Sequence, residues 1–456
     1  MEQFDLIIIG GGPAGYLAAE RAAQGGLTVV LFEKKQLGGT CLNTGCIPSK
    51  TYLSSAKICN HAKIDGEKFG VKSENVRIDH RAVAARKNKV VDTLVSGVAR
   101  TLKKLKVPVI AEHAEIQGRE DGLFTVSAGG RGYASRYLIV AAGSSPVVPP
   151  IAGLAESLAS GFAVTSETMF DLQEVPENLA VLGGGVIGME MASYFRSAGS
   201  RVDVIDMLPG IGGSFGAELS GLLQRDYESK GFVFHLGARV TGVSAGRVFF
   251  TGGGEEQSLE ADRVLVSLGR RANLKGIGLE RLHVSTDQNG IVVNDRMETN
   301  VPGLYAPGDI NGRYMLAHIA YREAEVAVNN ILGKKDVMSY RAVPSILYTD
   351  PEISCVGETP ESAAEKGYDV QVVRLPMQYS GRYVAETEDG NGTCTLVYDR
   401  KNDRLLGTQV CAPGSSEFLF AVGALIDMEV SLERIKRLVF PHPTTGEIIR
   451  EALFQL

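Results

Sequence analysis

The chain has 456 residues, about three times a typical ~150-residue domain, so we expect several units that each bury a core. Its formal net charge of -6 comes without a long basic run, which argues against nucleic acid and a membrane surface as partners. No run of roughly 18 apolar residues occurs, and six cysteines are too few for a disulfide scaffold. We therefore expect a cytoplasmic protein in which a close cysteine pair is catalytic.

The first predicted element is a buried parallel strand over residues 4–9, which is followed directly by a glycine-rich turn and an alanine-rich helix. In this G-x-G-x-x-G pattern, Gly10 permits the tight turn, Gly12 lets the backbone approach a pyrophosphate, and Gly15 lets helix and strand pack closely. Glu33 ends the next predicted strand, 23 residues after Gly10, where an acid can bind a ribose hydroxyl.

The same pattern occurs again in the second third of the chain, with Gly183, Gly185 and Gly188 and with Asp206 at the matching distance of 23 residues. A single match could be a glycine turn that binds nothing, but two complete copies make that reading improbable. Each copy offers a helix N-terminus to a pyrophosphate. The sequence therefore predicts two bound dinucleotides.

Each copy closes with an apolar strand that ends in glycine, at Gly143 and at Gly269. The first copy spans 133 residues between its first and closing glycines and the second spans 86, so the first carries 47 additional residues. That insertion contains a cysteine pair and a helical pattern around residues 81–106. Prolines 146, 149 and 150 indicate a crossover between two domains.

The cysteine pair is Cys41 and Cys46, with Gly45 between them. Five steps of a regular helix advance about 7.5 Å, whereas a disulfide normally joins Cα atoms ~4.4 to 6.8 Å apart. Either the pair is unbonded or the helix is distorted there, and Gly45 supplies the freedom for distortion. We weighed a structural disulfide, half of a zinc site and two core residues, and a redox-active pair is favoured. The other cysteines form no second pair, so we predict core positions and no metal site for Cys59, Cys355, Cys394 and Cys411.

The segment GGTCLNTGCIPSK at 38–50 resembles the active-site signature of the pyridine nucleotide-disulfide oxidoreductases, and within that family the dihydrolipoamide dehydrogenases. The resemblance covers essentially the whole chain. Further matching segments lie, in order, at 299–309, 314–318, 343–357 and 440–447.

The resemblance implies that the first glycine pattern binds FAD and that Lys50 pairs with Glu190 near the flavin. The implied FAD contacts are Gly10, Gly12, Gly15, Glu33, Thr40, Lys50, Ala114, Gly143, Asp309, Met315, Leu316, Ala317 and His318. The second pattern is then the nicotinamide nucleotide site, to which Val240 and Gly269 contribute. An acid at Asp206 would repel a 2'-phosphate and no arginine cluster follows, so NAD is favoured over NADP.

The resemblance also assigns the redox roles, since it places Cys46 against the flavin and Cys41 where it exchanges with the substrate dithiol. His442 and Glu447 match the base and its orienting carboxylate, and a free imidazole with a pKa near ~6.5 can take and return thiol protons near neutrality. Taken singly, the two residues would read as a packed histidine and a solvated glutamate. The chain departs from the usual pattern at Ala142, Pro307, Ile319 and Phe440.

The predicted fold class is α/β, with two Rossmann-like dinucleotide-binding domains (FAD and NAD), a central domain and an α+β C-terminal dimerisation domain. The predicted domains are 1–147 for FAD and the cysteine pair, 148–270 for NAD, 271–340 as the central domain, and 341–456 as the dimer interface.

The implied reaction oxidises a dihydrolipoyl group and reduces NAD to NADH in a homodimer. The partner would be a lipoyl-carrying protein of a 2-oxoacid dehydrogenase complex or of the glycine cleavage system. Three alternatives are an NADPH-dependent glutathione reductase, a mercuric reductase and a dinucleotide-binding subunit without catalysis. Asp206 argues against the glutathione reductase, and the lack of a C-terminal cysteine pair argues against the mercuric reductase. A subunit without catalysis would not need to retain Cys41, Cys46, His442 and Glu447.

Overall fold

The structure is a computed structural model that describes residues 1–213, 215–388 and 390–456, apart from the side chains of residues 64 and 65. Its strands are β1 (Glu2–Ile9), β2 (Val29–Phe32), β3 (Val109–Ile110), β4 (Ala114–Glu120), β5 (Leu123–Ala128), β6 (Arg131–Val140), β7 (Ser144–Pro146), β8 (Ala163–Thr165), β9 (Asn178–Leu182), β10 (Arg201–Asp206), β11 (Val233–Leu236), β12 (Arg239–Ser244), β13 (Arg247–Gly252), β14 (Glu255–Glu260), β15 (Arg263–Val266), β16 (Arg270–Ala272), β17 (Leu304–Tyr305), β18 (Pro344–Leu347), β19 (Ile353–Gly357), β20 (Val370–Pro376), β21 (Thr393–Asp399) and β22 (Arg404–Cys411).

The helices carry the glycine patterns and the predicted redox residues. They are α1 (Pro13–Gln24), α2 (Gly39–Thr44), α3 (Cys46–Asn60), α4 (His80–Lys104), α5 (Leu154–Ala159), α6 (Val186–Ala198), α7 (Ala217–Ser229), α8 (Ala317–Ile331), α9 (Pro360–Glu365), α10 (Gly381–Glu386), α11 (Ser415–Asp427), α12 (Leu432–Lys436) and α13 (Glu447–Leu453). None of the described helices is both long and apolar enough to cross a bilayer.

The first sheet has the strand order β3-β2-β1-β6-β5-β4, with β17 beside β6. Strand β1 lies parallel to both β2 and β6, and its residues Leu6, Ile7 and Ile8 are fully buried. Side chains that point to opposite faces of one strand are all buried only when both faces of the sheet are covered. The continuous apolar run in the sequence therefore has a direct structural cause.

The second sheet repeats this arrangement in the order β11-β10-β9-β15-β8, and all of its strand pairs are parallel. Helix α6 connects β9 to β10 just as α1 connects β1 to β2. The antiparallel pair of β7 and β16 joins the two units, because β7 follows the first sheet and β16 follows the last strand of the second. The ends of the two sheets are thereby held close to each other.

The C-terminal residues form an antiparallel sheet in the order β18-β19-β22-β21-β20, which packs against α11, α12 and α13. The predicted α/β fold with two Rossmann-like units and an α+β C-terminal unit is confirmed. We propose the boundaries after residues 147, 270 and 340 as the division of the chain. Helix α4 begins at His80, one residue before the predicted start, because the Asp79 carboxylate accepts a hydrogen bond from Ala82 N at 3.0 Å and caps it.

Candidate active site

Two glycine-rich turns hold the starts of α1 and α6 against the strands that precede them. A Cβ atom at Gly15 would lie 1.7 Å from Gly10 O, and one at Gly188 would lie 2.0 Å from Gly183 O. No larger residue fits at either position, since real Cβ contacts are far longer. Gly10 and Gly183 have φ values of 107° and 102°, so both turns use backbone conformations that favour glycine.

The middle glycine of each turn faces open space. A Cβ at Gly185 would meet no atom within 4 Å, and one at Gly12 would meet only Gly39 Cα at 3.7 Å. These glycines are the N-caps of α6 and α1, and no side chain caps either helix. The first-turn amides are therefore free to bind an anion, and both turns fit the pyrophosphate of a dinucleotide.

An acidic residue stands at the end of the second strand of each unit. The Glu33 carboxylate accepts hydrogen bonds from Gly11 N and Lys35 N, both at 2.7 Å. The Asp206 carboxylate accepts the equivalent bonds from Gly184 N at 2.6 Å and Leu208 N at 2.8 Å. Both carboxylates are partly exposed, so the backbone fixes them in place while their remaining lone pairs can accept bonds from ribose hydroxyls.

The two cysteines lie on different helices because the chain breaks between them. Helix α2 ends at Thr44, Gly45 adopts φ -137° and ψ -112°, and α3 begins at Cys46. A Cβ at Gly45 would lie 2.9 Å from Thr40 O, so the break needs a glycine. Neither cysteine is in a disulfide here, and the two thiols are close enough for each to shift the pKa of the other. The sequence left open an unbonded pair or a helix distorted at Gly45, and the structure has both.

The environment of the pair favours a thiolate on Cys46. The hydrogen bond from the Cys41 thiol lowers the pKa of Cys46 to about 7, the Lys50 ammonium acts in the same direction, and burial opposes both. The same hydrogen bond and burial raise the pKa of Cys41. Because Cys46 is the first residue of α3, its sulfur also lies at a helix N-terminus, where negative charge is favoured.

Lys50 lies one turn along α3 and bridges this helix to the second unit. Its ammonium donates to both oxygens of Glu190 at 3.0 Å, and Glu190 is buried on α6 just after Gly188. The ammonium also lies 4.3 Å from the ring centre of Tyr348, whose backbone N–H donates to Glu190 at 3.2 Å. The Lys50–Glu190 pair implied by the resemblance is therefore present, and Tyr348 adds a contact from the C-terminal unit.

Asp309 lies in a partly buried polar network whose members are far apart in the chain. Its carboxylate accepts a hydrogen bond from Ser144 Oγ at 2.5 Å, and Ser144 Oγ accepts one from Arg270 Nε at 2.8 Å. Arg270 also donates to Glu167 Oε1 at 3.1 Å and to Thr40 Oγ1 at 3.3 Å. Burial raises the pKa of Asp309, and Ser144 and Arg270 partly offset this rise.

Arg270 thus connects the end of the second parallel sheet to the residue before Cys41. The sequence did not predict the contact between Arg270 and Thr40, because 230 residues separate them and no short motif spans such a distance. One signal was available: Arg270 directly follows Gly269, which the resemblance had already placed at the nicotinamide nucleotide.

His442 and Glu447 form a hydrogen-bonded pair at the start of α13. His442 Nδ1 lies 2.7 Å from Glu447 Oε1, and a carboxylate can only accept, so Nδ1 carries the proton. Burial opposes ionisation of Glu447, but the bonds from Thr444 N and His442 outweigh it, so the pKa of this carboxyl is lowered. Nε2 is left without a partner among the described residues, and the His442 side chain is 76% exposed. No hydrogen bond joins His442 to either cysteine in the part of the chain that the structure describes.

The other predicted cofactor residues are distributed over both units. Ala114 is buried at the start of β4, Val240 lies on β12, and Gly143 and Gly269 have φ values of 69° and 97°. His318 donates from Nε2 to Pro344 O at 3.0 Å, which fixes its ring orientation. The remaining members of that segment lie at or just before the start of α8 and are Met315, Leu316 and Ala317.

The departures from the family pattern cause no break in the fold. Ile319 and Pro307 are buried, and Ala142 O accepts a hydrogen bond from Asn273 Nδ2 at 2.9 Å. Phe440 packs against the C-terminal core. Within the described residues, no group of three or more His, Cys, Asp or Glu side chains could hold a metal ion.

Comparison with known proteins agrees with this geometry. Residues 4–324 match the family described as pyridine nucleotide-disulphide oxidoreductase, and residues 343–453 match its dimerisation domain. The chain is 36% identical to a dihydrolipoyl dehydrogenase of Chlamydia muridarum, over 99% of this chain and 96% of that protein. It is 35% identical to the mitochondrial dihydrolipoyl dehydrogenase of Pisum sativum, over 99% of this chain and 91% of that protein.

A solved structure has the same fold over its full length. The HOCl-induced flavoprotein disulfide reductase RclA from Escherichia coli superposes with a TM-score of 0.87 at 26% identity, over 99% of each chain. The two family models together cover nearly the whole chain, and both nucleotide turns and the cysteine pair lie within them. The chain therefore belongs to the pyridine nucleotide-disulphide oxidoreductase family.

Proposed function

We propose that the chain oxidises a protein-bound dihydrolipoyl group to its disulfide and reduces NAD to NADH. The observation that carries this proposal is the position of the neighbouring Cys41 and Cys46 at the junction of α2 and α3, with Lys50 linking α3 to the helix of the second nucleotide turn. Full-length relatives named dihydrolipoyl dehydrogenase support the choice of substrate.

The first nucleotide turn would hold FAD and the second NAD. The free amides at the starts of α1 and α6 would bind the two pyrophosphates, and Glu33 and Asp206 would accept bonds from the ribose hydroxyls. When bound, FAD supplies the two-electron chemistry that connects the cysteine dithiol with NAD. The protein supplies the placement of the groups and the control of protons.

Proton transfer from the substrate falls to His442. Its Nε2 is the free nitrogen of an imidazole whose Nδ1–H is held by the ionised Glu447, so it can take the proton of a substrate thiol. The thiolate then attacks the sulfur of Cys41 in the oxidised enzyme. This step forms a bond between the substrate and Cys41 and breaks the bond between Cys41 and Cys46.

The environment of Cys46 fits the role of leaving group. A thiol with a lower pKa leaves faster, and the Lys50 ammonium favours the thiolate of Cys46 while Cys41 is bonded to the substrate. Once Cys41 is a thiol again, its hydrogen bond adds to this effect and the pKa of Cys46 is lowered to about 7. The second thiol of the substrate then attacks the first substrate sulfur, which is bonded to Cys41. The substrate disulfide forms and Cys41 is released. The enzyme is left with both sulfurs reduced.

The working unit in this proposal is a homodimer whose active sites each use two chains. The chain carries the family's dimerisation domain at 343–453, and His442 within it is 76% exposed. Large exposed apolar side chains also lie in this region, among them Phe420 and Val439 at 80% and 97% exposure. The lipoyl carrier would come from a 2-oxoacid dehydrogenase complex or the glycine cleavage system, and a cytoplasmic location belongs to the same proposal.

The proposal is tested by steady-state kinetics with two substrate pairs. Purified holoenzyme should reduce NAD with dihydrolipoamide and should show little activity with glutathione disulfide and NADPH. The reverse preference would favour a glutathione reductase, and no dithiol-dependent reduction of NAD would favour a subunit without catalysis. Cys46→Ser should abolish the dithiol reaction, because it removes a sulfur that must change its bonding.

A further inference from the structure

The predicted base sits on a short loop that needs support from the rest of its domain. The His442 side chain is 76% exposed, and its one hydrogen bond within the described chain goes to Glu447, five residues away. An exposed imidazole keeps a defined position only if the loop that carries it is fixed. The relevant question is therefore which group holds residues 440–447 in place.

Thr444 is the residue that closes this loop. Its N–H donates to Glu447 Oε2 at 2.7 Å, and its hydroxyl donates to Pro441 O at 3.0 Å. Its carbonyl oxygen accepts a hydrogen bond from Glu447 N at 3.3 Å. The orientation of the Thr444 peptide thus decides where the Glu447 carboxylate lies, and Glu447 in turn orients His442.

Ser380 reaches this peptide from a separate segment of the chain. Its hydroxyl donates to Thr444 O at 3.1 Å and accepts from Tyr383 N at 3.2 Å, which makes Ser380 the N-cap of α10. The residue is only 1% exposed, so water does not readily replace either bond. Tyr383 is itself buried and accepts a hydrogen bond from Gly392 N at 3.0 Å. The first turn of α10, which Ser380 caps, is therefore held in place by its own contacts.

We propose that Ser380 is a positioning residue for the His442–Glu447 pair. It fixes the Thr444 carbonyl, the Thr444 peptide fixes the Glu447 carboxylate, and the carboxylate holds Nδ1–H of His442 so that Nε2 remains free. This inference rests on the proposed function, because it assumes that His442 takes the proton of the substrate thiol. It adds a residue that lies 62 positions before His442 in the chain.

The expected size of the effect follows from the hydrogen bonds that are lost. Without the Ser380 hydroxyl, Thr444 O keeps only the long bond from Glu447 N, and the loop can reorient. A hydrogen bond of this kind is worth about threefold to tenfold in an equilibrium. We therefore expect kcat/KM for dihydrolipoamide to fall by about threefold to tenfold in Ser380→Ala.

The experiment compares full-length holoenzyme variants over a range of pH. Ser380→Ala removes both bonds, whereas Ser380→Gly removes the bond to Thr444 with little loss of helix capping, because glycine is an acceptable N-cap. Ser354→Ala is the matched control, since Ser354 is a fully buried serine of the same domain whose hydroxyl has no partner among the described residues. Glu447→Gln provides the reference for a misplaced imidazole.

The proposal is supported if both Ser380 variants lower kcat/KM and shift the acid-side midpoint of its pH profile in the same direction as Glu447→Gln, while Ser354→Ala matches wild type. It is overturned if the Ser380 variants keep the wild-type profile while Glu447→Gln shifts it. If His442→Gln and Glu447→Gln leave the dithiol reaction intact, the assignment of His442 as the base fails instead, and if wild-type holoenzyme shows no dithiol-dependent reduction of NAD, the proposed function fails. The two failures are therefore distinguishable.

Discussion

Replacing Cys41 with alanine tests whether its thiol sets the ionisation of Cys46. The hydrogen bond from Cys41 is the largest cause of the lowered pKa of Cys46, which lies at about 7 against an ordinary value of 9.0. At pH 7 about half of the Cys46 sulfur is therefore thiolate, whereas a thiol with the ordinary value would be about 1% ionised. Cys41→Ala removes the largest cause of the lowered pKa and leaves Lys50 to oppose burial and Glu190, so we expect the midpoint to rise by at least about one pH unit.

The assay is the rate of alkylation of Cys46 by iodoacetamide in reduced enzyme, followed by mass spectrometry of its peptide from pH 5 to 10. Alkylation requires the thiolate, so the rate rises with pH through the pKa of Cys46. Cys41→Ser is the matched control, because a serine hydroxyl can still donate to the Cys46 sulfur, and it should keep most of the shift. An alkylation midpoint near 7 in Cys41→Ala would refute the reasoning.

Three further predictions concern the other contacts of the site. Asp206→Asn should weaken discrimination against NADP, measured as the ratio of kcat/KM for the two nucleotides, and an unchanged ratio would show that Asp206 does not select NAD. Arg270→Met should lower kcat about tenfold or more, because it removes the hydrogen bonds that Arg270 donates to Ser144, Thr40 and Glu167, and wild-type kcat would exclude this role. Mixed dimers of Cys41→Ser and His442→Ala chains should regain about half of wild-type activity if sites form across chains, and none if each site lies within one chain.

The parts of the fold that the sequence predicted are those in which local chemistry fixes the backbone. Gly15 and Gly188 had to be glycine because a Cβ would overlap a carbonyl oxygen a few residues earlier, so the pattern alone identified both nucleotide turns. The spacing of the two cysteines and the reach of a disulfide left two alternatives, an unbonded pair or a helix distorted at Gly45, and the break at Gly45 is one of them. Both arguments need only a short stretch of chain.

The contacts that the sequence could not predict join residues that are distant in the chain. Ser144 and Arg270 are 126 residues apart, and Ser380 and Thr444 are 64 apart. Each of these residues taken alone resembles an ordinary surface or capping residue. The contact of Ser144 with Arg270 depends on the pairing of β7 with β16, and that of Ser380 with Thr444 depends on the packing of the C-terminal unit, neither of which local periodicity encodes.

Glu190 offers a test of the same electrostatic reasoning in the opposite direction. Its carboxylate raises the pKa of Cys46 while the Lys50 ammonium lowers it, and the two charged groups are paired at 3.0 Å. Glu190→Gln removes the negative charge but keeps an oxygen that can accept from Lys50. The alkylation midpoint of Cys46 should therefore fall below its wild-type value of about 7, whereas Cys41→Ala raises it.

The Lys50–Glu190 pair also connects the surroundings of Cys46 to the helix of the second nucleotide turn. Glu190 lies on α6, two residues after Gly188, so a shift of this helix on binding NAD would change the field at Cys46. The alkylation profile of wild-type enzyme should then move when NAD is added, and the profile of Glu190→Gln should move less. If NAD shifts both profiles equally, the Lys50–Glu190 pair is not the electrostatic link between the second nucleotide turn and the dithiol.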